Sequence, residues 1–219
     1  MKKIIVSLVA LCFCVPAFAQ LEQGGHLVGA RLGLGFQLQN SGISYTAYNN
    51  RVDWGTLGAE YGLSYYYLIT DNVGIGADVS YGNFEGGDFF VDSEKVDNTT
   101  HLFNTMLSAR FTANPENLFR LYMPVGIGIT TAHQKLHIDK GGLKYDNSAT
   151  DTSLGWFVGT GFEFDFGRES DWSMGFEARY NAFRYNTERL IRNAPSVIEG
   201  DGKRTLSYLS FHLRVNKHF

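Results

Sequence analysis

Apolar and other residues alternate one for one along eight separate stretches of this chain, and no other feature limits its fold as strongly. In the last stretch Leu209, Phe211, Leu213 and Val215 alternate with Ser210, His212, Arg214 and Asn216; Lys217 interrupts the apolar series and Phe219 resumes it. A period of two places the two sets on opposite faces of a β-strand. The same reading predicts strands over residues 28–38, 57–69, 73–81, 103–111, 121–131, 154–164 and 172–182, with the eighth over 209–219. Strands on the order of ten residues are long enough to cross a bilayer when tilted.

The two faces differ sharply in chemistry. Lys217 is the one charged residue on the apolar face, whereas Arg31, Glu60, Asp78, Arg110, Glu163, Glu177, Arg179 and Arg214 all fall on the other. A water-soluble barrel would turn such charges outward. The aromatic residues of the apolar face also sort by depth. Phe36, Tyr81, Phe103, Trp156 and Tyr180 fall towards one rim, and Tyr67, Phe111, Phe164, Trp172 and Phe219 towards the other. Two aromatic girdles flanking an apolar band mark a barrel whose apolar face meets lipid. The connections alternate in length. Residues 39–53, 82–100, 132–153 and 183–205 form long polar segments, and residues 70–72, 113–117 and 166–171 short turns. The expected fold is all-β, an eight-stranded antiparallel up-and-down transmembrane β-barrel, with long loops outside and both termini in the periplasm.

Residues 1–19 read as an export signal. Lys2 and Lys3 precede an apolar run over residues 4–15 that is too short to span a bilayer, and Pro16 leads into Ala17-Phe18-Ala19, a small-x-small cleavage site. The expected organisation is a signal peptide over 1–19 and a barrel domain over 20–219. Cys12 and Cys14 both lie in the signal, so no disulfide stabilises the mature chain. The 19 basic residues less Lys2 and Lys3 leave 17 against 22 acidic ones, a balance of −5, and no basic run points to nucleic acid. The 25 glycines and 4 prolines suit closely packed, twisted strands better than helices.

With the signal, the eight alternating strands, the inward Gly33-Leu34-Gly35, Gly126-Ile127-Gly128 and Gly159-Thr160-Gly161 runs and the terminal aromatic strand in view, the mature chain resembles the small OmpA/OmpX-like outer-membrane barrels of Gram-negative bacteria. The resemblance implies that Phe211, Leu213, Val215 and Phe219 form the signal read by the barrel-assembly machinery, with Lys217 departing from the apolar pattern. It also implies a cell outer membrane location, with outer-membrane lipid and lipopolysaccharide as partners and a surface ligand for the outer loops.

Three function classes follow. The lumen charges Arg31, Glu60, Asp78, Arg110, Glu163, Glu177, Arg179 and Arg214 read as a plug of mutually paired groups, because an eight-stranded barrel is just wide enough for side chains to fill. The protein then has a structural or surface-interaction role, in envelope integrity or adhesion through its outer loops. The alternative is a narrow porin-like channel gated by the same charges, and the remote alternative is a lipid-modifying enzyme. No cofactor or catalytic residue is expected, because the mature chain carries no HExxH, Gly-x-Ser-x-Gly or CxxC motif and no His-x-Ser pair. His133 and His137, four apart in a predicted loop, are not read as metal ligands. The fourth long segment carries Arg184, Arg189, Arg192, Lys203 and Arg204, and Arg189 and Arg192 are the expected contacts to lipopolysaccharide phosphates.

Overall fold

The computed structural model describes residues 22–39, 41, 43–45, 50–52, 54–87, 95–140, 143–167, 170–196 and 198–219. The predicted signal peptide and its cleavage site lie outside them. Eight strands close into an antiparallel barrel. In chain order they are β1 (His26–Gln37), β4 (Leu57–Thr70), β5 (Val73–Gly87), β6 (Lys95–Ala113), β7 (Phe119–Lys140), β8 (Leu143–Asp165), β9 (Trp172–Asn186) and β11 (Lys203–His218). Each pairs with its barrel neighbour in sequence, and β1 closes the ring against β11. His26 and Phe219 exchange backbone hydrogen bonds of 2.9 and 2.8 Å, so the start of β1 meets the residue after β11 at the end that carries the short turns.

The predicted strands all form, and the alternation fixes their faces as expected. Leu32, Leu63, Leu107, Ile129, Leu154 and Leu213 stand out from the barrel as an apolar belt, and Arg31, Glu60, Asp78 and Arg110 are buried within it. The long polar segments, however, are largely not loops. β5 runs on to Gly87, β6 starts at Lys95, and β7 and β8 extend to Lys140 and back from Leu143 as a hairpin that stays in register throughout. The reason is a change of phase. Along the outer part of β7 the residues facing out become His133, Lys135 and His137, while Ala132, Leu136 and Ile138 turn in and are buried. Within the belt apolar residues face out; beyond it, where the outside is water, they face in. The crossing point falls between Phe103 and His101 on β6, and between Ile129 and His133 on β7.

Three further strands escape the sequence pattern. β2 (Ile43–Tyr45), β3 (Asn50–Val52) and β10 (Ile198–Gly200) form a separate small sheet in the order β10-β2-β3. At three residues each they are too short to carry a periodic signal. The sheet ties the segment after β1 to the segment before β11 at the long-hairpin end. Its Ile43 and Ile198 pack with Leu136, Ile138 and Leu190 in an apolar cluster.

Inward glycines are what let the lumen hold aromatic rings. A Cβ on Gly35, Gly58 or Gly82 would lie 2.7, 2.5 or 2.6 Å from the Phe84 ring, and one on Gly126 would lie 2.3 Å from that of Phe157. The Gly-x-Gly runs thus leave room on one strand for a large side chain from another.

Candidate functional site

The lumen is the site the sequence singles out, and it is filled in layers. Every predicted charge lies inside it and is almost wholly buried. Arg31 grips Asp78 with both terminal guanidinium nitrogens, at 2.5 and 2.7 Å, and Arg179 reaches the same carboxylate from the other side of the barrel at 2.9 Å. Glu177 accepts from Arg179 Nε and from Arg214 Nη1, each at 2.5 Å. Arg31 and Arg214 sit directly opposite each other on β1 and β11. Like charges in that position repel, and here each is drawn to a different carboxylate.

The network continues towards the short-turn end. Arg214 Nη2 donates to Ser64 Oγ at 2.7 Å and to Asn216 Oδ1 at 3.3 Å, and Asn216 Nδ2 donates to Glu163 Oε2 at 2.7 Å. Glu163 also accepts from Arg110 at 2.5 Å and from Arg120 at 3.0 Å, and Arg120 turns its two terminal nitrogens onto Asp165. Two rings help hold the cations. The Arg110 guanidinium lies 3.9 Å from the centre of the Tyr122 ring and that of Arg179 lies 4.1 Å from Phe157. Glu60 and His212 complete the cluster, with 3.4 Å between Glu60 Oε1 and His212 Nε2 and 3.6 Å between Glu60 and Arg31.

Among the described residues five arginines (31, 110, 120, 179 and 214) therefore face five carboxylates (60, 78, 163, 165 and 177) at this level. A buried charge is costly unless it is paired and hydrogen-bonded; this lumen balances its charges in number, with Glu60 ion-paired to Arg31 and His212 but not hydrogen-bonded among the described residues.

Above the charges lies a neutral polar layer, in which Asn104 donates to Ser80 Oγ at 3.0 Å and Thr130 donates to Asn104 Oδ1 at 2.7 Å. Above that is an apolar one. Trp54, from the segment between β3 and β4, is fully buried; its ring centre lies 5.1 Å from that of Phe84, 5.7 Å from Phe183 and 5.9 Å from Tyr208. Leu102, Ala132, Tyr185 and Leu206 complete that cluster. The Thr100 hydroxyl donates to the Trp54 carbonyl and pins the segment to β6.

Several of these participants are not evident from the sequence pattern. Arg120 precedes the predicted start of its strand by one residue. His212 and Asn216 fall on the charged face but carry no sign of their partners. Trp54 falls just beyond a long polar segment; a lone tryptophan there is the one available hint that the mouth is stoppered.

The remaining predicted residues take simpler places. Phe211, Leu213 and Val215 stand on the outer face of β11, at 39%, 66% and 38% exposure. Lys217, the one charged residue of the apolar face, is 8% exposed, its nitrogen 4.8 Å from the Phe219 ring centre and 5.4 Å from that of Trp172. Arg189 lies in a 3-10 turn (Thr187–Arg189), where it pairs with Asp151 at 3.1 Å and donates to the Thr150 carbonyl at 3.3 Å. Arg192 is exposed. His133 and His137, expected in a loop, lie on β7 because the phase-inverted strand runs on past the belt; His137 faces Asp146 at 3.6 Å.

Comparison with known proteins supports this architecture. The outer membrane protein OprG of Pseudomonas aeruginosa has a similar fold, with a TM-score of 0.53 at 14% identity over 90% of this chain and 97% of that one. The outer membrane protease OmpT of Escherichia coli superposes with a TM-score of 0.50 at 10% identity over 88% of this chain and 97% of that one. Identities this low show a common fold and nothing more. No curated protein matches the sequence. The description "outer membrane protein beta-barrel domain" fits residues 5–219, nearly the whole chain, and with the closed eight-stranded ring and its apolar belt it places the chain in that family of outer-membrane barrels.

Proposed function

We propose that this protein is a closed outer-membrane barrel with a structural and surface-interaction role, its long hairpins outside the cell and both termini in the periplasm. The observation that supports this reading best is the filled lumen: paired charges at the level of the belt, a neutral polar layer, then an aromatic stopper. A barrel filled this way gives solutes no water path and leaves the hairpins and the small sheet as its means of contact. Phe211, Leu213, Val215 and Phe219 are its assembly signal, and lipopolysaccharide surrounds its outer half. We read it as non-enzymatic, because the carboxylates and histidines clustered in the lumen lie buried inside the barrel, out of reach of lipid or peptide. Cells with and without the protein are therefore expected to give the same lipid A mass profile; a product that appears only with the protein makes it a lipid-modifying enzyme.

Orientation is tested with two single cysteines, Ser148→Cys in the outer part of β8 and Glu116→Cys in the turn between β6 and β7, both at exposed positions. A membrane-impermeant maleimide is expected to label the first in intact cells and the second only after the outer membrane is permeabilised. The reverse pattern inverts the barrel and removes the surface role.

A further inference from the structure

Just beyond the belt, on the outside of the long-hairpin end, a row of rings crosses four strands. The Tyr61 and Tyr81 ring centres are 5.3 Å apart, those of Tyr81 and His101 6.0 Å, and those of His101 and His133 6.2 Å with planes 18° from parallel. The strand register sets this level: Asn83, His101, His133 and Thr150 are successive cross-strand partners on β5, β6, β7 and β8. Each imidazole is held by its Nδ1. The Tyr81 hydroxyl lies 2.7 Å from His101 Nδ1, and the Thr150 hydroxyl 2.8 Å from His133 Nδ1. Neither Nε2 has a hydrogen-bond partner among the described residues. Lys135, two residues along the same face of β7, is exposed and forms no ion pair among them.

This arrangement brings three cationic or protonatable groups together with no carboxylate in the row of the two imidazoles. The nearest acids lie farther from the belt than that row or are engaged. Glu85 sits on the level of Lys135, across Thr99; Asp97 and Asp146 flank His137; and Asp139 pairs with Lys144 at 3.5 Å. Partial burial, the His133 ring and the Lys135 ammonium all hold the pKa of His101 below the ordinary imidazole range. Burial and its cationic neighbours thus favour the neutral form of His101, which gains charge when an anion arrives or the pH falls.

We propose that His101, His133 and Lys135 form a binding site for the phosphate of a glycolipid headgroup in the outer leaflet. Its depth favours a lipid over a soluble anion. The site faces sideways from the barrel, not up into the hairpins, and the outward faces of Phe103 and Ile129, exposed by 49% and 56%, run from it into the belt where acyl chains lie. The inference rests on the outward orientation of this end and relocates the lipopolysaccharide contact. Arg189 is already engaged with Asp151, whereas the two imidazoles and Lys135 face the lipid directly.

The test uses the full chain refolded into phosphatidylcholine vesicles with EDTA present, containing either bisphosphorylated lipid A or the same lipid dephosphorylated. The ring NMR titrations of His101 and His133 are followed, with His133→Gln for assignment. The phosphorylated lipid is expected to raise both midpoints by about 1 pH unit or more, and Lys135→Gln is expected to reduce the rise. Inorganic phosphate at the same concentration is expected to leave both midpoints in place. Midpoints that do not respond to phosphorylated lipid A, a rise undiminished in Lys135→Gln, or an equal rise with inorganic phosphate each overturn the proposal. These vesicles present lipid A in both leaflets, so the outcome is independent of orientation, which stands or falls on the cysteine labelling.

Discussion

Replacing Glu163 with alanine is expected to destabilise the folded barrel by about 3–5 kcal/mol, the cost of stripping one partner from a buried ion pair. Glu163 is fully buried and is the point where Arg110, Arg120 and Asn216 converge. Arg120 keeps Asp165 after the substitution, but Arg110 loses the only carboxylate it pairs with among the described residues and is left with the Tyr122 ring and Thr112. The network above it also loses its link through Asn216. Urea titration of the barrel in vesicles, read by the gel shift between folded and heat-unfolded forms, measures the effect. Replacing Glu163 and Arg110 together by leucine and methionine is expected to recover much of the loss, because the orphaned charge goes with its partner. A loss below about 1 kcal/mol for Glu163→Ala would place these groups in screening water, as at a surface, and would argue for a wet lumen.

Trp54→Ala is expected to cost a similar amount, about 3–5 kcal/mol, through lost apolar contact and the cavity left behind. The loss falls on the long-hairpin end, where the indole holds Phe84, Phe183 and Tyr208 together. The belt and the charge network keep their own contacts, so the barrel still forms and the cap loosens. Fluorescence reports it directly. Of the three tryptophans, Trp156 and Trp172 lie on the outer face at opposite girdles, while Trp54 is inside. In the wild type, Trp54 is expected to resist both acrylamide in water and brominated lipid in the bilayer. Trp54→Phe should keep most of the stability. A Trp54 quenched as readily as a surface indole would contradict the stoppered mouth.

The strands were legible because a bilayer imposes extreme contrast. Every second residue meets hydrocarbon, and a charge there is costly, so the apolar face is nearly free of them. The extension of β6, β7 and β8 was harder to see because its pattern reverses. His133, Lys135 and His137 take over the outward positions of Ile127 and Ile129, and following a single apolar face along the chain makes the strand seem to end. Reading the phase of the alternation as well as its presence would have found both the longer hairpin and the edge of the belt. The lumen charges were legible by face and illegible by partner. Asp78 on β5 meets Arg179 on β9 across the barrel, a pairing set by strand tilt and stagger, which no local spacing records. The three strands of the small sheet depend on contacts such as Ile43 with Gly200, between residues far apart in the chain, and have no local signature at all.

The central claim is that the lumen is closed to ions by its mutually paired charges and the aromatic cluster above them. Single-channel conductance of the refolded protein in a planar bilayer tests it most directly, with folding confirmed by the heat-dependent gel shift. The wild type is expected to be silent. Steady, reproducible openings that change when Glu177 and Arg179 are neutralised together would contradict the account and make the charged lumen a path for ions.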